Sequence, residues 1–106
     1  MPVLEANSAT LQSALEGESP VIIQFWAEWC APCRAMIPIV DQFAAERGAS
    51  VTVARVDVDA NPDLSLKYRV TAVPTFAIAQ GDTMLSSFSG AMPLHAFAER
   101  VDKALS

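Results

Sequence analysis

Two cysteines, Cys30 and Cys33, stand three residues apart as Cys-Ala-Pro-Cys and are the only cysteines in the chain. A loop this short does little to stabilise a fold, so the pair points to chemistry or to metal. Thiol–disulfide exchange fits best: one thiolate attacks a disulfide and the other resolves the mixed disulfide. Zinc is a second use, but tetrahedral zinc needs four ligands and the chain adds only His95, far away in sequence. That leaves a four-cysteine site shared across a dimer. An inert structural pair is the third reading.

The elements around the motif favour exchange. Before it runs Val21-Ile22-Ile23-Gln24-Phe25-Trp26, a short β-branched and aromatic stretch that reads as a buried strand, with Trp26 expected in the core. After it, Ile39, Val40, Phe43 and Ala44 form the apolar stripe of a helix that Gly48 would end. The cysteines therefore fall at a helix N-terminus, where unpaired backbone N–H groups and the helix dipole stabilise a thiolate. Pro32 suits the first turn, because its missing N–H would have had no helical partner. With Cys30 at the cap, Cys33 lies one turn later on the same face, with Cβ atoms about 5–6 Å apart. Small adjustments then bring the sulfurs to bonding distance. Cys30, at the exposed end, is expected to attack, and Cys33, deeper in the turn, to resolve. Arg34, the first cation in the chain, adds positive charge beside them.

Residues 51–58 read as another strand, and 75–79 and 83–88 as a hairpin around Gln80-Gly81-Asp82. Helical patterns cover 8–16 and 61–68, and a last one carries Leu94, Phe97, Ala98, Val101 and Leu105 with Pro93 at its first position. The order β-α-β-α-β-α-β-β-α is that of an α/β domain with a mostly parallel sheet and an antiparallel edge. At 106 residues, 52% hydrophobic and 18% charged, the chain is one ordered domain. The uncharged stretch at 70–81 is interrupted by Thr71, Pro74, Thr75 and Gln80, so no membrane helix is expected. A net charge of −5 and a pI near 4.6 argue against nucleic acid as a partner. Residues 1–15 lack the basic start and apolar core of a signal peptide, so a soluble cytoplasmic protein is expected.

The segment Phe25-Trp26-Ala27-Glu28-Trp29-Cys30-Ala31-Pro32-Cys33 resembles the active site of thioredoxins, which usually read W-C-G-P-C. Pro38 matches the proline that kinks their active-site helix, and Val73-Pro74-Thr75 their cis-proline segment. Gly81 matches the turn between the last two strands, and Ser89-Gly90-Ala91 the loop beside the active site; the likeness runs over residues 4–105. The resemblance implies a thioredoxin fold over residues 1–106, a central mixed five-stranded sheet of order 1-3-2-4-5 flanked by four helices. It implies a monomeric protein-disulfide reductase with no cofactor and no metal, fed by an NADPH-dependent thioredoxin reductase and acting on protein disulfides. Trp29, Ala31, Pro32, Val73, Gly90 and Ala91 would form its substrate side, and Pro74 would lie against the cysteines.

Three residues depart from the family pattern. Gln24 stands where most thioredoxins have a buried Asp that moves protons for the second cysteine, and an amide carries no proton at neutral pH. Arg55 replaces the accompanying lysine, stays charged, and is expected to pair with Asp57. Ala31 replaces the usual glycine, which crowds the substrate face. A slower exchange, limited at resolution, is expected. The rival readings are a disulfide oxidase or isomerase outside the cytoplasm, and a partner-binding or chaperone-like module with weak redox activity.

Overall fold

The computed structural model describes residues 3–106. In chain order the elements are β1 (Leu4–Glu5), α1 (Ser8–Leu15), β2 (Val21–Trp26), α2 (Ala31–Arg47), a 3-10 turn (Gly48–Ser50) and β3 (Thr52–Asp57). There follow α3 (Pro62–Lys67), β4 (Thr75–Gln80), β5 (Thr83–Ser89) and α4 (Leu94–Leu105). The sheet order is β1-β3-β2-β4-β5, as the resemblance implies. β3 runs parallel to β1 and β2, while β4 is antiparallel to both β2 and β5.

β2 is central because its residues are apolar on both faces, which only a strand covered on both sides can satisfy. Ile22 faces a core with Met36, Val40 and Phe43 of α2 and Phe97 and Val101 of α4. Ile23 and Phe25 face the opposite core, with Leu11 of α1 and Leu64 of α3. Phe97 joins the first core: its ring lies 5.1 Å from Phe43, 5.0 Å from Phe76 and 6.1 Å from Phe88.

Local sequence sets the ends of the elements. The Asn7 side chain accepts from the Thr10 amide at 3.0 Å while Thr10 Oγ1 accepts from the Asn7 amide at 2.8 Å, a reciprocal cap for α1. Gly48, at φ 55°, closes α2, and Gly81, at φ 59°, turns the β4–β5 hairpin. Pro93 is the cap residue of α4 rather than its first helical residue, a shift of one position. β1 is the element the sequence pattern left without residues: two positions are too few to show periodicity, and it exists through its pairing with Ala54 and Arg55.

α2 and α4 are also joined by a two-point ion pair, Arg47 to Asp102 at 2.5 and 3.0 Å, with the guanidinium 4.5 Å from the centre of the Phe43 ring. The bond to Arg47 holds the Asp102 carboxyl below its ordinary range. A carboxyl lowered in the folded state adds stability above its unfolded value and loses it as pH falls through the folded one. Asp102 is largely solvent-exposed, so the pair contributes at most about 1 kcal/mol. Urea midpoints of the wild type and Asp102→Asn should therefore differ at pH 7 and converge as pH falls below the ordinary carboxylate range.

Candidate active site

The strand–helix junction places the cysteines. Ala27-Glu28-Trp29 leaves β2, and the Cys30 amide donates back to the Ala27 carbonyl at 3.2 Å. Cys30 then caps α2: its Sγ accepts from the Cys33 amide at 3.2 Å, and its carbonyl accepts from the Arg34 amide at 3.1 Å. Ala31 and Pro32 occupy the first helical positions, both exposed. The two sulfurs are joined as a disulfide, with Cα atoms 5.2 Å apart. Their environments differ, since Cys30 keeps 6% exposure and Cys33 none. Ala27 completes their cluster, with Trp26, Val58 and Val73 packed against it. Trp26 is thus a half-buried wall of this cluster rather than a core residue, because it ends β2 at the sheet margin.

Two loops close over the pair. Val73 and Pro74 are linked by a cis peptide bond, and the Val73 carbonyl oxygen lies 3.7 Å from Cys30 Sγ. The Gly90 amide donates to the Pro74 carbonyl at 3.0 Å, which ties the Gly90-Ala91 loop to the same side. Gly90 has φ 103°, a backbone conformation open to glycine and to few other residues. Thr75 Oγ1 bonds the Ala72 carbonyl at 2.6 Å and Ser89 Oγ at 2.8 Å, locking both loops. From below, the Met92 amide donates to Met36 Sδ at 3.4 Å. Thr75 and Ser89 fall within segments that the sequence placed at the site, but their bond to each other across 14 positions was not legible, nor was Met36, whose partner lies 56 positions away.

Trp29 is 69% exposed beside the nucleophile position, and its Nε1 donates to Asp59 Oδ2 at 2.8 Å. Arg34 turns its guanidinium to the Glu28 carbonyl at 2.5 Å. His95 is exposed on α4.

Gln24 and Arg55 are buried and face each other across β2 and β3, where Arg55 Nε donates to Gln24 Oε1 at 2.9 Å. The other guanidinium nitrogens reach Asp41 at 3.0 Å and Glu5 at 3.5 Å. Arg55 therefore does not pair with Asp57, as the sequence suggested. The Asp57 carboxylate is taken by the turn after β3, accepting from the Asp59 amide at 2.9 Å and the Ala60 amide at 3.4 Å. Gln24 Nε2 is buried without a hydrogen-bond partner. The bond to Arg55 Nε fixes the oxygen toward the arginine, so the amide presents a donor on its other side.

The family model for thioredoxin matches residues 2–103. The chain belongs to the thioredoxin family. It is 36% identical over 87 residues to a thioredoxin of Alicyclobacillus acidocaldarius, covering 82% of this chain and 83% of that one. It is 32% identical over 107 residues to the thioredoxin of Pyropia yezoensis, covering both chains in full. A bifunctional thioredoxin reductase/thioredoxin of Mycobacterium leprae is 36% identical over 85 residues, which is 80% of this chain and 19% of that one. As a thioredoxin-family member with a joined cysteine pair, the protein is a dithiol oxidoreductase acting on protein disulfides.

Proposed function

We propose that Cys30 is the attacking thiolate and Cys33 the resolving thiol of a domain spanning residues 1–106. The observation that carries this is the cap: the sulfur that accepts the Cys33 amide is the one favoured as an anion, at the positive end of a 17-residue helix. Cys33, without exposure, is reached by Cys30 rather than by a protein substrate. In the forward direction Cys30 attacks a substrate sulfur and the first substrate thiolate leaves and takes up a proton. Cys33 then loses its proton and attacks Cys30 Sγ, the second substrate thiolate leaves, and the substrate has gained two electrons. The dithiol itself carries those electrons, so no bound cofactor enters the cycle.

Trp29, Ala31, Pro32, Val73, Gly90 and Ala91 form the docking side, with Pro74 holding the Val73 carbonyl beside Cys30. Gln24 and Arg55 support the site from beneath α2 as a polar pair that neither takes up nor gives up a proton at neutral pH. The electron donor is an NADPH-dependent thioredoxin reductase, a reading supported by the reductase/thioredoxin fusion among the relatives. The protein works as a cytoplasmic monomer. Supplied with NADPH and a thioredoxin reductase, it should sustain reduction of insulin disulfides. A rate with dithiothreitol but none with the reductase would remove the reductase from this proposal, and no rate with either would favour a binding module.

A further inference from the structure

Helix α3 ends on an arginine where the geometry calls for glycine. After the cap residue Tyr68, the Arg69 amide donates to the Leu66 carbonyl at 3.1 Å and the Val70 amide to the Ser65 carbonyl at 2.8 Å. This pair of bonds requires the residue after the cap to turn left-handed. Arg69 does so with φ 55°, and it is the one non-glycine residue with positive φ among those described. Its Cβ makes that conformation unfavourable, and glycine would avoid the penalty.

The arginine lines a groove. A cavity of about 600 Å³ opens beside the redox pair, bounded by Trp29, Val58, Leu66, Val70 and Val73 along with Arg69. Neither cysteine lines it, but Val73, which does, carries the carbonyl 3.7 Å from Cys30 Sγ. Its apolar surface is open, with Trp29 69% and Leu66 81% exposed. Arg69 is the only charged residue lining it and joins no ion pair among the described residues. In a chain of net charge −5, the groove's one lining charge is positive. Lys67 and Asp82 belong to the adjoining hollow that Arg69 also lines, and Asp59 is bonded to Trp29.

We infer that Arg69 determines substrate specificity: the groove takes an extended segment of a disulfide-bearing protein, with an apolar side chain against Trp29 and Leu66 and a carboxylate on Arg69. The guanidinium offers the planar fork that a carboxylate binds. Arg69 and Val73 are four positions apart, a span of at most about 13–14 Å, so the carboxylate belongs within about four residues of the substrate cysteine. The charge offsets, at this one place, the repulsion that an acidic protein exerts on an acidic segment. The inference rests on the disulfide-exchange reading of Cys30 and Cys33 and adds the substrate class.

The test uses two synthetic peptide disulfides, identical except for Glu or Lys within four residues on either side of the cysteine. The reduced protein is mixed with each, and peptide thiol is quantified after acid quench. The wild type should reduce the Glu peptide faster by about fivefold at low salt, and the ratio should shrink in 0.5 M salt. Arg69→Glu should invert the preference. Arg69→Gly should bring the ratio near one while raising the melting midpoint, and Arg69→Lys should retain most of the preference. An Arg69→Glu or Arg69→Gly protein that melts cooperatively and keeps the wild-type ratio would overturn the inference. If the wild type reduces neither peptide, or Cys30→Ser reduces them equally well, the exchange reading itself fails.

Discussion

Cys30→Ser should bring disulfide reduction down to the rate of the buffer control, while Cys33→Ser should accumulate a covalent complex with substrate. A serine hydroxyl at the cap still accepts the Cys33 amide, so α2 keeps its end and the fold survives. Chemistry is lost because a serine oxygen neither ionises at neutral pH nor attacks sulfur as a thiolate does. With Cys33 replaced, the attack of Cys30 proceeds but the mixed disulfide has no internal thiol to break it. Electrophoresis without reductant, after incubation with a protein disulfide, would reveal the trapped species. Trapping by Cys30→Ser instead would reverse the two roles. Partner binding that survives in Cys30→Ser, in a wild type that itself reduces nothing, would mark a binding module.

Gln24→Asp should speed turnover near neutral pH on the order of tenfold, less than the roughly hundredfold or more of a general base acting directly on the reacting group. Gln24 lies on the β2 face that α2 covers, sharing it with Ile22, which packs on Met36 and Val40, and with Trp26, which packs on the cysteine cluster. A carboxylate there can take the proton that Cys33 must lose before it attacks. Turnover with an insulin substrate at pH 7 reads the effect, and an unchanged or lower rate would show that the missing carboxylate does not limit exchange. The same change should lower stability at pH 7 by about 1–3 kcal/mol. The shorter side chain withdraws the acceptor from Arg55 Nε, and Arg55 is already engaged with Asp41 and Glu5. The dominant effect on the new carboxyl is then desolvation, which raises its pKa in the folded state. Such a group binds its proton more tightly folded than unfolded, so the deficit is smallest below about pH 4 and grows as pH rises above it. Thermal melts at pH 4 and pH 7 measure this, and an equal or higher midpoint at pH 7 would contradict it.

Beneath the second prediction lies the buried pair of Gln24 and Arg55, which the sequence revealed only in part. The two residues were visible as departures from a family pattern, but their bond to each other was not. Strand register decides it: Gln24 stands opposite Arg55 on the neighbouring parallel strand. Asp57, two residues from Arg55, looked like the natural partner by spacing alone. A carboxylate at a strand end has a closer use in capping its own turn, and that contact won.

What the sequence determined by itself was whatever depends on neighbours along the chain. The Cys-Ala-Pro-Cys spacing, the apolar run before it and the periodic stripe after it are local, and they specify a helix capped by a sulfur. The alternation of strands and helices is local in the same sense, and the sheet order followed from the resemblance. Tertiary structure alone decided the contacts made between distant segments. It brought the Val73 carbonyl to Cys30 and the Met92 amide to Met36, and it gave Arg55 three partners on three elements. It also set Arg69 in a left-handed turn, because the hydrogen bonds that end α3 demand that conformation whatever residue occupies it. Pattern reading marks such turns by glycine, so an arginine there leaves no trace in the sequence. Spacing can place a thiol on a helix, but which distant groups meet it depends on how separate elements pack.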